Sequence, residues 1–156
     1  MMTNLKRAVR YVTFIPTGME FVLGGSIPNV VQGFQVMTSD EKYVDYGFEA
    51  GVSRYVNDGN KFYFFPLNTA ENLEKITNAY DLHYKAFYQG EEFSAGVSSY
   101  PQIILFAGTF DYGASATTTI KGFEIEAGNW VKKVDISEVT LIPIKTPIDL
   151  SEYLPS

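Results

Sequence analysis

NTAENLEKITNAYDLHYKAFY, residues 68–88, is the stretch on which the fold turns. Asn68, followed three residues later by Glu71, fits a capping box with Asn as the cap. Leu73, Ile76, Tyr80, Tyr84 and Phe87 come at steps of three and four, leaving Glu74, Lys75, Asp81 and Lys85 for water. The spacing predicts an amphipathic helix over 69–81, with the same spacing carrying on to 88 and Gly90 as its stop. A lone helix among strands covers one sheet or closes one end of a barrel.

Everything on either side reads as strand. Tyr, Phe, Val, Ile and Thr dominate in short runs broken by Gly, Pro, Asn and Asp. RAVRYVTFI (7–15) leads through the turn Pro16-Thr17-Gly18 into MEFVL (19–23), then VVQGFQVM (30–37), with a kink at Gly33, and YVDYGFEA (43–50). Asn57-Asp58-Gly59 supplies the positive φ of a tight hairpin between aromatic runs. PQIILFAGTF (101–110) reads as a central strand buried on both sides. TTTIKGFEIEA (117–127) and NWVKKVDISEVTLIPI (129–144) follow, with a hairpin at Ala127-Gly128-Asn129. In both, the apolar phase slips once, from Ile120 to Phe123 and from Ile136 to Val139, the mark of a bulge or a bend. The sum is a mainly β fold: an antiparallel sandwich, jelly roll or barrel of about eight to ten short strands with one helix. We expect one β-rich domain over 1–144 and an extended tail over 145–156.

Two octapeptides echo each other. FEAGVSRY (48–55) and FSAGVSSY (93–100) agree at six of eight positions, yet the flanks differ and no third copy exists. Stacked repeats need about three units for stability. The pair therefore reads as two equivalent strand entries, with Gly51 and Gly96 permitting a bend and Phe48 and Phe93 turned into one core.

Composition removes several chemistries. The 156 residues contain no cysteine, so disulfides, thiolate metal ligands and cysteine nucleophiles are excluded. A net charge of −6 argues against general nucleic-acid binding, which needs a basic surface to neutralise phosphates. No apolar run approaches the roughly 18 residues of a membrane-spanning helix, and the N-terminal segment lacks the apolar core of a secretory signal. A soluble chain is expected, with neither nucleic acid nor membrane as a partner.

Residue by residue, catalytic machinery does not assemble. His83 is the sole histidine, so a triad or a zinc site lacks its partners. Glu124 and Glu126 share one face of a strand, a spacing equally natural for a solvated edge. The Asn57–Asn60 turn lacks the alternating acids of a calcium loop, and Gly24-Gly25 lacks what a phosphate loop requires. No catalytic, metal or cofactor site is assigned. The candidate contact residues lie at the ends: Lys6, Arg7 and Arg10 in a basic N-terminal arm, and Ile148, Leu150, Tyr153 and Leu154 in the apolar, proline-bearing tail. Both segments suit docking on a neighbour.

Across its whole length, this cysteine-free, acidic chain, rich in Tyr, Gly and Thr and ending in TPIDLSEYLPS, resembles small virion proteins of tailed bacteriophages. That resemblance implies a capsid-decorating, neck or tail subunit, located in the virion, whose partners are copies of itself or other virion proteins. WVKKVDISEVTLIPI (130–144) is similar to the closing strand of jelly-roll carbohydrate-binding modules, through Val134-Asp135-Ile136 to Leu141. This second likeness implies a carbohydrate partner, although Trp130, the sole tryptophan, sits at a turn. A glycan hydrolase built on a carboxylate pair is a third expectation.

Overall fold

A computed structural model describes residues 5–24, 34–52, 61–110 and 113–153. Among them are eleven antiparallel strands, so the mainly β class holds. They are β1 (Arg10–Phe14), β2 (Met19–Gly24), β3 (Gln35–Thr38), β4 (Glu49–Val52), β5 (Lys61–Pro66), β6 (Ile76–Tyr88), β7 (Glu91–Gly96), β8 (Gln102–Thr109), β9 (Glu124–Glu126), β10 (Asn129–Asp135) and β11 (Thr140–Pro147). The fold groups into two compact units. The first comprises Val9–Asp81 with Thr146–Ser156, the second Met1–Ala8 with Leu82–Lys145. Strand β6 gives its first half to one unit and its second half to the other.

The helix expected over 69–81 and on to 88 does not form. Only one turn, α1 (Ala70–Leu73), is helical, capped by the Thr69 hydroxyl on Asn72 N rather than by Asn68. Ile76–Tyr88 is a strand of 13 residues. Tyr80, Leu82, Tyr84, Ala86 and Tyr88 point inward and are buried, while Asp81, His83 and Phe87 between them are exposed. A step of four residues satisfies a helical period of 3.6 and a strand period of two alike, so Tyr80 and Tyr84 fit both patterns. Leu82 and Ala86 fit only the strand. Gly90 is no helix stop; Gln89 (φ 48°) and Gly90 (φ 82°) form the two-residue turn that joins β6 to β7. Positive φ at both positions matches the right-handed twist of the strands.

In the first unit the strand order is β4-β5-β3-β2-β1-β6. The expected turn at residues 16–18 is present, with Gly18 at φ 68°. The Asn57-Asp58-Gly59 turn and the Gly33 kink lie outside the described residues, although β4 and β5 pair antiparallel from Glu49↔Phe64 to Val52↔Lys61. YVDYGFEA is not one strand: Glu41–Tyr46 form a 3₁₀ helix, capped by the Asp40 carboxylate on Lys42 N and closed by Gly47 at φ 97°. The core gathers Val12, Phe14, Leu23, Val36, Tyr43, Phe48, Tyr63, Phe65, Leu67 and Leu150. Phe14 is its hub, with ring centroids 5.2 Å from Phe48, 5.4 Å from Phe65 and 6.1 Å from both Tyr43 and Tyr46.

In the second unit the order is β6-β7-β8-β10-β9. Ile103, Leu105 and Ala107 of β8 alternate inward beside Val131 and Val134 of β10. The hairpin expected at 127–129 is present, with Ala127 at φ 48° and Gly128 at φ 78°. TTTIKGFEIEA is strand only over Glu124–Glu126; the residues before it form a strap. Thr117 N donates to Ala107 O, the Thr118 hydroxyl to the Glu91 carboxylate, and Lys132 Nζ to Lys121 O. NWVKKVDISEVTLIPI is two strands, not one, which also breaks the run likened to a carbohydrate-module strand. Asp135 ends β10, and a 3₁₀ turn over Ile136–Glu138 makes the bend that the phase slip foretold. Asp135 accepts from Ser137 N while its own N–H donates to Glu138 Oε2, a reciprocal cap.

Among the described residues the two octapeptides do not pair with each other: β4 pairs β5, whereas β7 pairs β6 and β8, and residues 53–55 lie outside the described residues. Phe48 and Phe93 are each buried, but in different units, so they do not share one core. What the copies share is a ring laid over the glycine. A Cβ on Gly51 would stand 2.7 Å from the Phe62 ring, and one on Gly96 3.3 Å from the Phe106 ring. The same three letters, Ala-Gly-Val, make room for an aromatic side chain from the next strand.

Candidate functional site

The tail of the chain returns to the first unit. Ile148 N donates to Ala79 O at 2.9 Å, Ile148 is half-buried, and Leu150 is 6% exposed within the core. Its docking place is made by a bulge. Between Tyr11↔Tyr80 and Thr13↔Thr77 the register slips, so Asn78 and Ala79 face Val12 alone. Asn78 takes φ 53°, which asparagine tolerates better than most residues. The bulge, α1 and the tail enclose a cleft of about 210 Å³, lined by Leu73, Ile76, Ala79, Ile148 and Leu150 and rimmed by Thr77, Asn78, Asp149 and Ser151. Small-molecule sites usually measure about 300–1,000 Å³. This cleft is the seam of a docked tail.

Asp149 is committed to that seam. The Ser151 hydroxyl and amide donate to its Oδ1 at 2.6 and 3.0 Å, and these bonds hold its carboxyl below the usual carboxylate value. Asp135 is lowered by the same arrangement with Ser137. Each shift comes from capping a turn, the ordinary work of a surface aspartate.

The other residues singled out in the sequence are scattered. Lys6 and Arg7 are exposed in the second unit, where Tyr84 Oη donates to Lys6 O at 2.8 Å and fixes the backbone there. Arg10 lies in the first unit, exposed, with its guanidinium carbon 5.4 Å from the Phe34 centroid. Tyr153 closes a 3₁₀ turn over Leu150–Tyr153; Leu154 lies outside the described residues. Thus Ile148 and Leu150 come together, on their own chain, whereas Lys6 and Arg7 fall in a different unit from Arg10. His83 is exposed on β6, and Glu124 and Glu126 are exposed on β9.

Sequence reasoning passed over a surface that the structure makes plain. Ile15, Met19, Val44 and Tyr46 are 51%, 55%, 49% and 42% exposed. Ile15 and Met19 flank the β1–β2 turn, where Phe14 and Met19 are register partners. The 3₁₀ helix carrying Val44 and Tyr46 is seated on that turn: Tyr43 Oη bonds to Thr17 Oγ1 at 3.2 Å, and the Tyr46 ring meets the rings of Phe14 and Tyr43. The turn and the helix that carry these four side chains are therefore joined through Tyr43 and Tyr46. Asp40 before the run and Gly47 after it are helix start and stop signals, and reading them would have turned Val44 and Tyr46 outward.

Acid lies along the 3₁₀-helix side of the patch, while the exposed Lys75, whose carbonyl accepts from Ile15 N, stands beside Ile15. Residues 40–49 hold the exposed carboxylates Asp40, Glu41, Asp45 and Glu49 against the single cation Lys42, which is paired with Asp40 at 3.5 Å. In the second unit a smaller apolar group stands on the β9–β10 edge. Ile125 is 47% exposed opposite Trp130, whose ring meets the 38%-exposed Phe110 at 5.8 Å, edge to face. Trp130 Nε1 donates to Ala114 O, which fixes the indole.

No helix among the described residues is long and apolar enough to cross a membrane. Compared with known proteins, the chain matches no family, no curated protein and no solved structure.

Proposed function

We propose that this chain is a non-enzymatic structural subunit that works by assembly, of the capsid-decorating, neck or tail kind found in phage virions. The observation that carries the reading is the group of Ile15, Met19, Val44 and Tyr46, four large apolar side chains exposed on the β1–β2 turn and on the 3₁₀ helix seated against it, with Tyr46 held by the rings of Phe14 and Tyr43. Contiguous exposed apolar surface on a folded protein marks a contact with another macromolecule. Leu150 is anchored in the core, so deleting the tail would disturb the fold and confuse the test. The informative variant is Met19→Ser/Val44→Ser in the full chain. Size-exclusion chromatography with light scattering is expected to show a multimer for the natural chain and a smaller species for the variant. A natural chain that stays monomeric at high micromolar concentration overturns the reading.

A second reading, a carbohydrate-binding module, is favoured by the Phe110–Trp130 pair with Ile125 beside it. Fixed aromatic rings at a surface stack on sugar faces. A glycan array is expected to show selective binding that Phe110→Ala removes if this reading holds. An array with no such signal ends it.

A further inference from the structure

We infer that the acid-rimmed apolar patch of one copy receives the basic N-terminal arm of a second copy, a head-to-tail contact; this rests on the assembly reading above. The patch and the arm complement each other in charge and character. Glu41 and Asp45 flank Val44 on the exposed side of the 3₁₀ helix, so an occupant must bring cations as well as apolar surface. Within this acidic chain, the arm sets Lys6 and Arg7 side by side in sequence, between Leu5 and Ala8. Both cations are exposed. Arm and patch are different surfaces, so the contact is heterologous: such contacts close into rings or run on as filaments, the forms a subunit of an extended assembly needs. Opposite charges at the rim steer encounter and fix register, while the apolar centre supplies most of the affinity.

The test exchanges charge in the full chain. Glu41→Lys/Asp45→Lys alters the rim and leaves the Asp40 cap intact; Lys6→Glu/Arg7→Glu alters the arm and leaves its backbone bond to Tyr84 intact. Sedimentation velocity at low salt is expected to show each double variant dissociating at about tenfold higher concentration than the natural chain. The chain with all four changes, whose charges are complementary again, is expected to regain association. Rising salt weakens both associating chains, since exposed charges are screened beyond about 10 Å at 0.1 M. Circular dichroism on each variant confirms the fold. If the natural chain associates and the exchanges change nothing, or the fourfold variant fails to regain association, the arm-to-patch contact is wrong while the assembly reading stands. A natural chain that never associates overturns both.

Discussion

Leu82→Lys is expected to unfold the second unit, and Phe87→Lys to leave it folded. The two positions receive the same replacement and lie on the same strand, but on opposite faces. Leu82 is 3% exposed and Phe87 is 42% exposed. A lysine at 82 must bury its ammonium or give up its proton, and either route costs several kcal/mol. With the lost packing, the penalty is expected to exceed about 4 kcal/mol, a large share of the roughly 5–15 kcal/mol that holds a domain together. At 87 the new lysine faces Glu92, its register partner, from the solvent side, beside the existing Lys85–Glu92 pair at 2.8 Å. Its cost stays within about 1 kcal/mol. Denaturant unfolding followed by the fluorescence of Trp130, which lies in the second unit, measures both. A helix over the same residues demands the reverse, because its apolar stripe includes Phe87 and excludes Leu82. Tolerance at 82 with collapse at 87 would restore the helix.

The reason β6 was misread applies beyond this chain. Tyr80, Tyr84 and Tyr88 are four apart and serve either periodicity; the residues that separate the two are Leu82 and Ala86. Thr77, Tyr80, Tyr84, Phe87 and Tyr88 favour strands by intrinsic preference, which agrees with the strand that forms. The polar start, with Thr69 and Glu71, signals a real helix that lasts one turn. Turns were easier to read, because positive φ needs particular residues: Gly18, the Ala127-Gly128 pair and the break after Asp135 all stand where their residues placed them. The surface patch was harder. Exposure of Val44 and Tyr46 depends on a helix of six residues seated by a hydrogen bond between Tyr43 and Thr17, 26 positions apart. Nothing local reports that contact. The tail was half-readable: its apolar residues announced burial, but only the bulge at Asn78 shows that the burial is against its own chain.

Phe14→Ala is expected to cost the first unit about 3–5 kcal/mol, and Phe14→Leu about half as much. Phe14 is fully buried and stands edge-on to four aromatic rings, those of Tyr43, Tyr46, Phe48 and Phe65. Alanine leaves a void that rings from two separate segments cannot collapse to fill, whereas leucine keeps much of the volume and loses the edge-to-face contacts, worth about 0.5–1.5 kcal/mol per pair. Hydrogen exchange read by mass spectrometry on β1, β2 and β5 measures the loss within this unit. The leucine variant also connects core to function. Tyr46 belongs to the exposed patch and is held from beneath by the edge of Phe14 and by Tyr43. If assembly uses that patch as a preformed surface, Phe14→Leu weakens association at concentrations where the unit is still folded, since the contact must now order Tyr46 as it forms. A leucine variant that is less stable yet assembles as the natural chain does would place the contact elsewhere on the surface.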